Sequence, residues 1–145
     1  MMSMRQTRQR LITVGILIAL SSCASQRELD GNDMNCPDSP NCVSSLASDS
    51  AHYIAPLTFN ENPEAAMKRL KAALLSEKRV TIITEQTNYL HGEVRSFIFR
   101  FVDDVEFTLV PEKGLFQVRS SSRAGYSDFG VNRRRIERIR QSFQK

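Results

Sequence analysis

Two segments of the chain repeat their apolar residues at helical spacing. In the first, Asn62-Pro63-Glu64 has the composition of a helix start, with a capping side chain, a proline and an acid near the positive end of the dipole. Apolar residues then recur every three or four positions, at Ala66, Met67, Leu70, Ala73 and Leu74. This pattern predicts an amphipathic helix over about residues 63–78.

The second helical pattern lies at the end of the chain. Its stripe consists of Phe129, Asn132, Ile136, Ile139 and Phe143. The stripe predicts a last helix, and Asp128 is expected to be its N-cap. Because a buried amide needs hydrogen-bond partners, we expect Asn132 to hold the loop that precedes the helix.

Between the helices the pattern changes to the two-residue period of strands. Residues 80–84 are all β-branched, and residues 115–120 follow a hairpin loop. Residues 89–95 place small and apolar side chains on one face and His91 on the solvent side. These segments predict strands that pair with their neighbours along the chain.

Residues 97–110 form the most aromatic stretch, and its odd-numbered positions define an inward face that includes Asp103. Either this strand is continuous and Asp103 needs a cationic partner, or Asp103-Asp104 lies at a bend. The order α-β-β-β-β-α predicts an α+β domain over residues 36–145. We expect an antiparallel sheet of three to four strands packed with two helices.

The charge of the chain is concentrated at its start. The formal charge is +4, but three arginines lie in the first ten residues and no acid precedes Glu28. Without residues 1–22, Lys+Arg falls from 20 to 17 while Asp+Glu stays at 16. A nearly neutral remainder argues against nucleic-acid binding.

The first 22 residues have the pattern of a secretory signal. The apolar run at 11–20 is too short to span a bilayer. Leu20-Ser21-Ser22-Cys23 resembles the bacterial lipoprotein box, in which the cysteine receives fatty acyl chains such as palmitate. Cleavage near Ala24 by an ordinary signal peptidase is the alternative.

The lipoprotein resemblance implies a membrane partner and a location. Residues 23–35 would be a flexible tether from the lipid on Cys23 to the domain. The protein is then expected on the periplasmic side of a bacterial cell envelope. Because Ala24 rather than an aspartate follows the cysteine, the outer membrane is favoured over the inner one.

Cys36 and Cys42 enclose a short, proline-containing segment. In an oxidising compartment they are expected to form a structural disulfide. A zinc site would need two further ligands, and a redox pair usually has C-x-x-C spacing. We expect no metal and no cofactor.

The stretch from residue 118 to 140 carries many arginines, three of them adjacent in the first half of the last helix. The helix dipole opposes cations there, so acidic groups or an external anion should compensate them. The candidate network is Asp103, Asp104, Arg119, Ser120, Arg123, Tyr126, Asp128, Asn132 and Arg133. In the internal alternative Asp103 and Asp104 pair with Arg119, Arg123 or Arg133.

Four stretches together resemble the domain of unknown function 1499 family, over about residues 36–142. They are CPDSPNCVSS from Cys36, HYI from His52, FVDDVEF from Phe101 and VRSSSRAGYSDFGVNRRRIE from Val118. The resemblance implies that the cysteine loop, the Asp-Asp segment and the arginine–serine loop belong to one module. It assigns no catalytic residue.

These observations favour a membrane-tethered module that binds an anionic ligand or an envelope partner. A structural envelope lipoprotein is one alternative, and a hydrolase-like enzyme is another. In the enzyme, Asp103 or Asp104 would be the general base, Arg119 and Arg123 would hold an anionic substrate, and Tyr126 would donate a proton.

Overall fold

The computed structural model describes residues 34–145. The predicted signal peptide, the lipidation of Cys23 and most of the tether lie outside the described residues. Within 34–145, no helix has the length and apolar character needed to cross a membrane.

Six strands and two α-helices make up the described chain. In order they are β1 (Cys42–Ser44), β2 (Leu57–Thr58), α1 (Pro63–Leu75), β3 (Val80–Glu85), β4 (Tyr89–Arg95), β5 (Val102–Val110), β6 (Leu115–Ser122) and α2 (Val131–Phe143). A single 3-10 turn, Pro111–Lys113, connects β5 to β6. The α+β class is therefore as predicted.

The sheet is larger than the predicted three to four strands. Its order is β1-β6-β5-β4-β3, with antiparallel neighbours, and β2 pairs with the start of β6. The two additional strands have only three and two residues, too few for a two-residue period to show. Their pairing is with a distant strand, which a local pattern does not reveal.

Both helices cover one face of this sheet. Buried apolar side chains of α1 and α2 form one core with inward residues of the strands. At Gly92 the helix approaches so closely that an added Cβ would lie 3.1 Å from Leu74 Cδ2. Helix α1 starts as predicted, since Asn62 accepts from Glu64 N at 2.9 Å, but it ends at Leu75 rather than near 78.

The structure corrects the prediction for residues 97–110. The strand begins only at Val102, and residues 96–101 form the tip of the β4–β5 hairpin. Phe97, Phe99 and Phe101 are therefore exposed instead of inward. From Val102 onward the strand is continuous, so Asp103 lies on the buried face and not at a bend.

The start of α2 also differs from the prediction. The helix begins at Val131 after Gly130, whose φ is 77°. Asp128 is two residues before that cap, although its carboxylate still accepts from Gly130 N at 2.8 Å and Asn132 N at 2.7 Å. Phe129 is exposed, whereas the rest of the predicted stripe is buried: Asn132, Ile136, Ile139 and Phe143.

Candidate functional site

The first cluster of candidate residues lies between the sheet and α2. Arg135 Nη2 lies 2.5 Å from Asp103 Oδ2, and both side chains are buried. Asp103 thus has the cationic partner that a continuous strand requires. The partner is Arg135, and not Arg119, Arg123 or Arg133 as expected from the sequence.

Asn132 is the centre of this buried cluster. Its side-chain oxygen accepts from Ser120 Oγ at 2.6 Å and from Arg135 Nη1 at 2.5 Å. Its amide nitrogen donates to the carbonyl of Asn41 and to Ser122 Oγ, both at 3.0 Å. One fully buried side chain therefore joins α2, β6 and the cysteine loop, and its hydrogen bonds are satisfied.

The cysteine loop is closed by a disulfide between Cys36 and Cys42, with an S–S distance of 2.07 Å. Next to it, Asn41 Nδ2 donates to the carbonyl of Gly125 at 2.5 Å. The loop after β6 is consequently held from two sides, by Asn41 and by the Asn132 cluster. The cysteine loop, the Asp-Asp segment and the arginine–serine loop, which the family resemblance groups in one module, meet in this region.

Asp104 faces the opposite side of the sheet. It accepts from Arg123 Nε at 2.8 Å, and His91 Nε2 lies 2.7 Å from its Oδ1. Arg123 also donates to Glu93 at 2.6 Å. Burial alone would raise the pKa of Asp104, but the hydrogen bonds from His91 and Arg123 outweigh it and lower that pKa to about 2.

A second chain of polar contacts follows on the same face. Tyr89 donates to Glu106 Oε1 at 2.7 Å, and Arg119 Nη1 lies 2.5 Å from Glu106 Oε2. Arg119 also donates to the carbonyl of Asn35 at 3.0 Å. Burial, followed by the hydrogen bond to Glu106, raises the pKa of Tyr89, so its hydroxyl stays protonated.

His91 lies on this face, as predicted, but only 1% of it is exposed. Its Nδ1 is buried and has no hydrogen-bond partner among the described residues. Because Nε2 faces Asp104, the neutral ring would carry its proton on Nε2 and leave Nδ1 as an unused acceptor.

The remaining candidates do not converge on a common pocket. Arg133 donates to the carbonyls of Tyr53 and Ala51, each at 2.8 Å. Tyr126 is exposed and makes no hydrogen bond within the described residues. The internal network is thus split by the sheet into a buried layer around Asp103 and an outer layer around Asp104. This separation leaves the two carboxylates unable to act on one substrate.

A different surface, which the sequence reasoning missed, lies at one end of the sheet. Strands β3 and β5 begin at this end, and β4 and β6 finish there. Its two loops, residues 96–101 and 123–130, form what we call the aromatic end. Six large side chains are exposed on it: Phe97 80%, Ile98 76%, Phe99 72%, Phe101 48%, Tyr126 76% and Phe129 86%.

The hairpin tip of the aromatic end has a defined conformation. Ser96 N donates to the carbonyl of Phe101 at 2.9 Å, and Phe101 N donates back to Ser96 Oγ at 2.8 Å. The rings of Phe99 and Phe101 stack with their centroids 5.5 Å apart. The exposed side chains are therefore carried by a closed turn. Its sequence signal is Ile98, which breaks the alternation of a one-sided strand.

Backbone strain is concentrated at the same end. Among the described residues, the non-glycine positions with positive φ are Arg79 (61°), Arg100 (54°) and Phe129 (53°). Arg100 and Phe129 lie in its loops, and Arg79 directly precedes β3 beside the end of β4. The left-handed region is unfavourable for such side chains and is enriched at functional sites.

Three arginines at this end make no ion pair within residues 34–145: Arg79, Arg100 and Arg134. The Arg79 guanidinium lies 5.6 Å from the centroid of the Phe97 ring. Arg134 donates to the carbonyl of Phe129 at 2.9 Å. Three arginines without an ion pair thus accompany the exposed aromatic side chains, together with one carboxylate, Asp128, that accepts from backbone amides.

In the part of the chain that the structure describes, no group of three or more His, Cys, Asp or Glu side chains is placed to hold a metal ion. No curated protein matches the chain. One family model matches residues 34–143, which is most of the sequence and includes both polar layers and the aromatic end. The chain therefore belongs to the family described as "Protein of unknown function (DUF1499)".

Proposed function

We propose that this protein is a lipid-anchored binding module of the bacterial cell envelope, and that the aromatic end is its binding surface. The observation that carries the proposal is the exposure of six large hydrophobic side chains at one end of the sheet. Large apolar side chains that are exposed together on one part of a soluble protein commonly mark a surface that binds something.

The strained backbone supports the same surface. Left-handed residues cost folding free energy and persist where the surrounding structure holds them for a purpose. Both Arg100 and Phe129 have this conformation. Phe129 is also highly exposed, and Arg100 carries an unpaired charge among the described residues. A surface that served folding alone would be better built with glycine at both positions.

The arginines that would bind an anionic partner differ in this proposal from those suggested by the sequence. Arg119, Arg123 and Arg133 are engaged by Glu106, by Asp104 and Glu93, and by backbone carbonyls, respectively. Three further arginines without an acidic partner, Arg79, Arg100 and Arg134, lie beside the exposed aromatics. An anionic group on the partner would therefore be met at the aromatic end.

Anchoring belongs to the proposal as well. Lipidation of Cys23 would place the domain on the periplasmic side, at the outer membrane in preference to the inner one. Residues 24–33 reach at most about 36 Å when fully extended. That length allows the domain to turn its aromatic end toward either the bilayer or a neighbouring envelope component.

Site-specific photo-crosslinking in intact cells tests the function. A photoreactive amino acid replaces Phe99 or Phe129 in the full-length chain, and matched controls carry it at Leu46 or Ile83, which are also exposed but lie outside the aromatic end. We expect discrete protein or lipid adducts from the first pair and none from the controls. The absence of adducts at both aromatic positions, or equal adducts at all four, would leave the structural-scaffold alternative in its place.

A further inference from the structure

Resting on the proposed function, we infer that the partner of the aromatic end is the interface of a bilayer that contains anionic lipids. The hairpin tip inserts its apolar side chains among the acyl chains, and the adjacent arginines contact lipid phosphates. The inference is carried by the shape of the tip, by the charges around it and by its strained backbone.

The shape of the tip suits a fluid partner. Phe97, Ile98 and Phe99 are consecutive, and each is more than 70% exposed. Consecutive side chains on a turn project in different directions, so a protein partner would need a separate pocket for each of them. Acyl chains rearrange around such side chains, and aromatic residues favour the region where headgroups meet hydrocarbon.

The charges around the tip suit an anionic headgroup layer. Arg100 stands inside the apolar sequence of the tip, and it makes no hydrogen bond or ion pair within the described residues. Arg79 lies over the Phe97 ring, so it reaches the same level of the surface. Guanidinium groups bind phosphate oxygens in a bidentate manner, and their long apolar stems tolerate a position at the membrane interface.

The left-handed backbone at Arg100 fixes the shape of the tip. With φ at 54°, Arg100 turns the chain back into β5, and Phe101 closes the tip onto Ser96. The tip is therefore formed before it meets the bilayer. Insertion then needs little ordering of the loop, which removes a cost that flexible loops bear on binding.

A tryptophan reporter tests the inference, because the chain contains none. The full-length lipidated protein with Phe99→Trp is reconstituted into vesicles of phosphatidylcholine alone or of phosphatidylcholine with phosphatidylglycerol. Leu46→Trp is the matched control, since Leu46 is exposed but lies outside the aromatic end. The readouts are the emission wavelength and quenching by lipids with brominated acyl chains.

We expect Phe99→Trp to show blue-shifted emission and quenching by brominated lipid, more strongly with the anionic lipid, and Leu46→Trp to show neither. Adding Arg100→Gln should lower the ratio of inserted to free tip about fivefold in anionic vesicles, the effect of one cation near a charged surface. Lys68→Gln, on α1, should leave that ratio unchanged. Thermal unfolding of each variant in detergent verifies that it is folded.

Two results would overturn the inference. One is an emission from Phe99→Trp that equals that of Leu46→Trp in both kinds of vesicle. The other is an equal degree of insertion with and without the anionic lipid, and with and without Arg100→Gln. If the vesicle experiment fails while cross-links from Phe99 in cells join a protein, the membrane inference is wrong and the proposed binding function stands. If both experiments fail, the proposed function falls with it.

Discussion

Two adjacent carboxylates have opposite roles in this protein. Asp103 faces the helices and pairs with Arg135 in the buried layer, whereas Asp104 faces outward and pairs with Arg123 and His91. The alternation of a continuous strand is sufficient to separate them. The role of Asp103 is therefore tested through the stability of the core, and the role of Asp104 through the outer face.

Replacing Asp103 with alanine tests the buried pair. The change leaves Arg135 as a buried charge without an acidic partner, and we expect the free energy of unfolding to fall by about 3–5 kcal/mol. Denaturant titration followed by circular dichroism measures it. The control is Glu77→Ala, which breaks the Arg138–Glu77 pair, where Arg138 is half-exposed, and should cost about 1 kcal/mol or less. Equal losses for the two variants would contradict a dominant role of the buried pair.

Asp104 should make the protein sensitive to acid. Its pKa is lowered from 3.8 to about 2 in the folded state, so the stabilisation is complete above the higher value and is lost as the pH falls through the lower one. Because the side chain of Arg123 is 47% exposed, we discount the contribution to about 1–2 kcal/mol. Unfolding free energies measured between pH 5 and pH 2 should fall more steeply for the native protein than for Asp104→Asn. Parallel curves would rule out this contribution.

At the scale of elements, the conformation of the hairpin tip costs folding free energy, because Arg100 has a positive φ. Arg100→Gly removes the steric conflict of a side chain at positive φ, and we expect it to raise the free energy of unfolding by about 1 kcal/mol. The same change should weaken insertion into anionic vesicles, because it removes a cation. Lys113→Gly is the control. It has no positive φ, so glycine there should destabilise slightly.

The cysteine loop holds a second element, the loop after β6. Replacing both Cys36 and Cys42 with serine should lower the free energy of unfolding by about 2 kcal/mol, from the chain entropy of a short loop. Since Asn41 donates to the carbonyl of Gly125, hydrogen exchange should also become faster in residues 123–130. Exchange that changes only inside the cysteine loop would show that the two loops are independent.

Much of the fold follows from periodicity, and the exceptions have physical causes. Helix α1, strand β4 and the buried stripe of α2 could be predicted from the spacing of their apolar residues. That spacing is three or four residues in the helices and two in the strand. The sequence pattern predicts a strand over residues 97–101 of the tip because they contain no glycine, proline or asparagine to signal a turn. Nothing local indicates that Arg100 adopts a left-handed conformation.

The site was predictable in part for the same reason. Asn132 could be identified as a loop-holding amide from its place on an apolar stripe. Arg135 occupies a position three residues after Asn132 and four before Ile139, so the same spacing places it on the buried side. In the prediction, Arg135 is only one of three adjacent arginines that need compensation, and Asp103 pairs with Arg119, Arg123 or Arg133 instead.

On the scale of the whole molecule, the proposed binding surface lies apart from the core. The helices and the inner face of the sheet form the core, the outer face carries paired charges, and the aromatic end has exposed apolar side chains. The buried cluster around Asn132 connects these regions, because it joins β6, α2 and the cysteine loop beneath the loop that bears Tyr126 and Phe129. The core therefore supports the proposed binding surface without contributing side chains to it.

This separation predicts that the aromatic end can be removed without loss of the fold. Phe97 and Phe99 are mostly exposed, so the double variant Phe97→Ser/Phe99→Ser should change the free energy of unfolding by about 0.5 kcal/mol or less. Phe107→Ala, a truncation of a fully buried ring, should instead cost about 3–5 kcal/mol. Denaturant titration measures both.

The same double variant should abolish insertion into anionic vesicles and reduce self-association at high concentration, since two large exposed apolar side chains of the tip have become polar. Photo-cross-linking from Phe129 to the lipid of anionic vesicles measures the first effect, and analytical ultracentrifugation measures the second, both with the full-length chain. A double variant that loses several kcal/mol would mean that the tip belongs to the core. A stable variant with unchanged adducts at Phe129 would mean that the loop at 123–130 binds its partner without the hairpin tip.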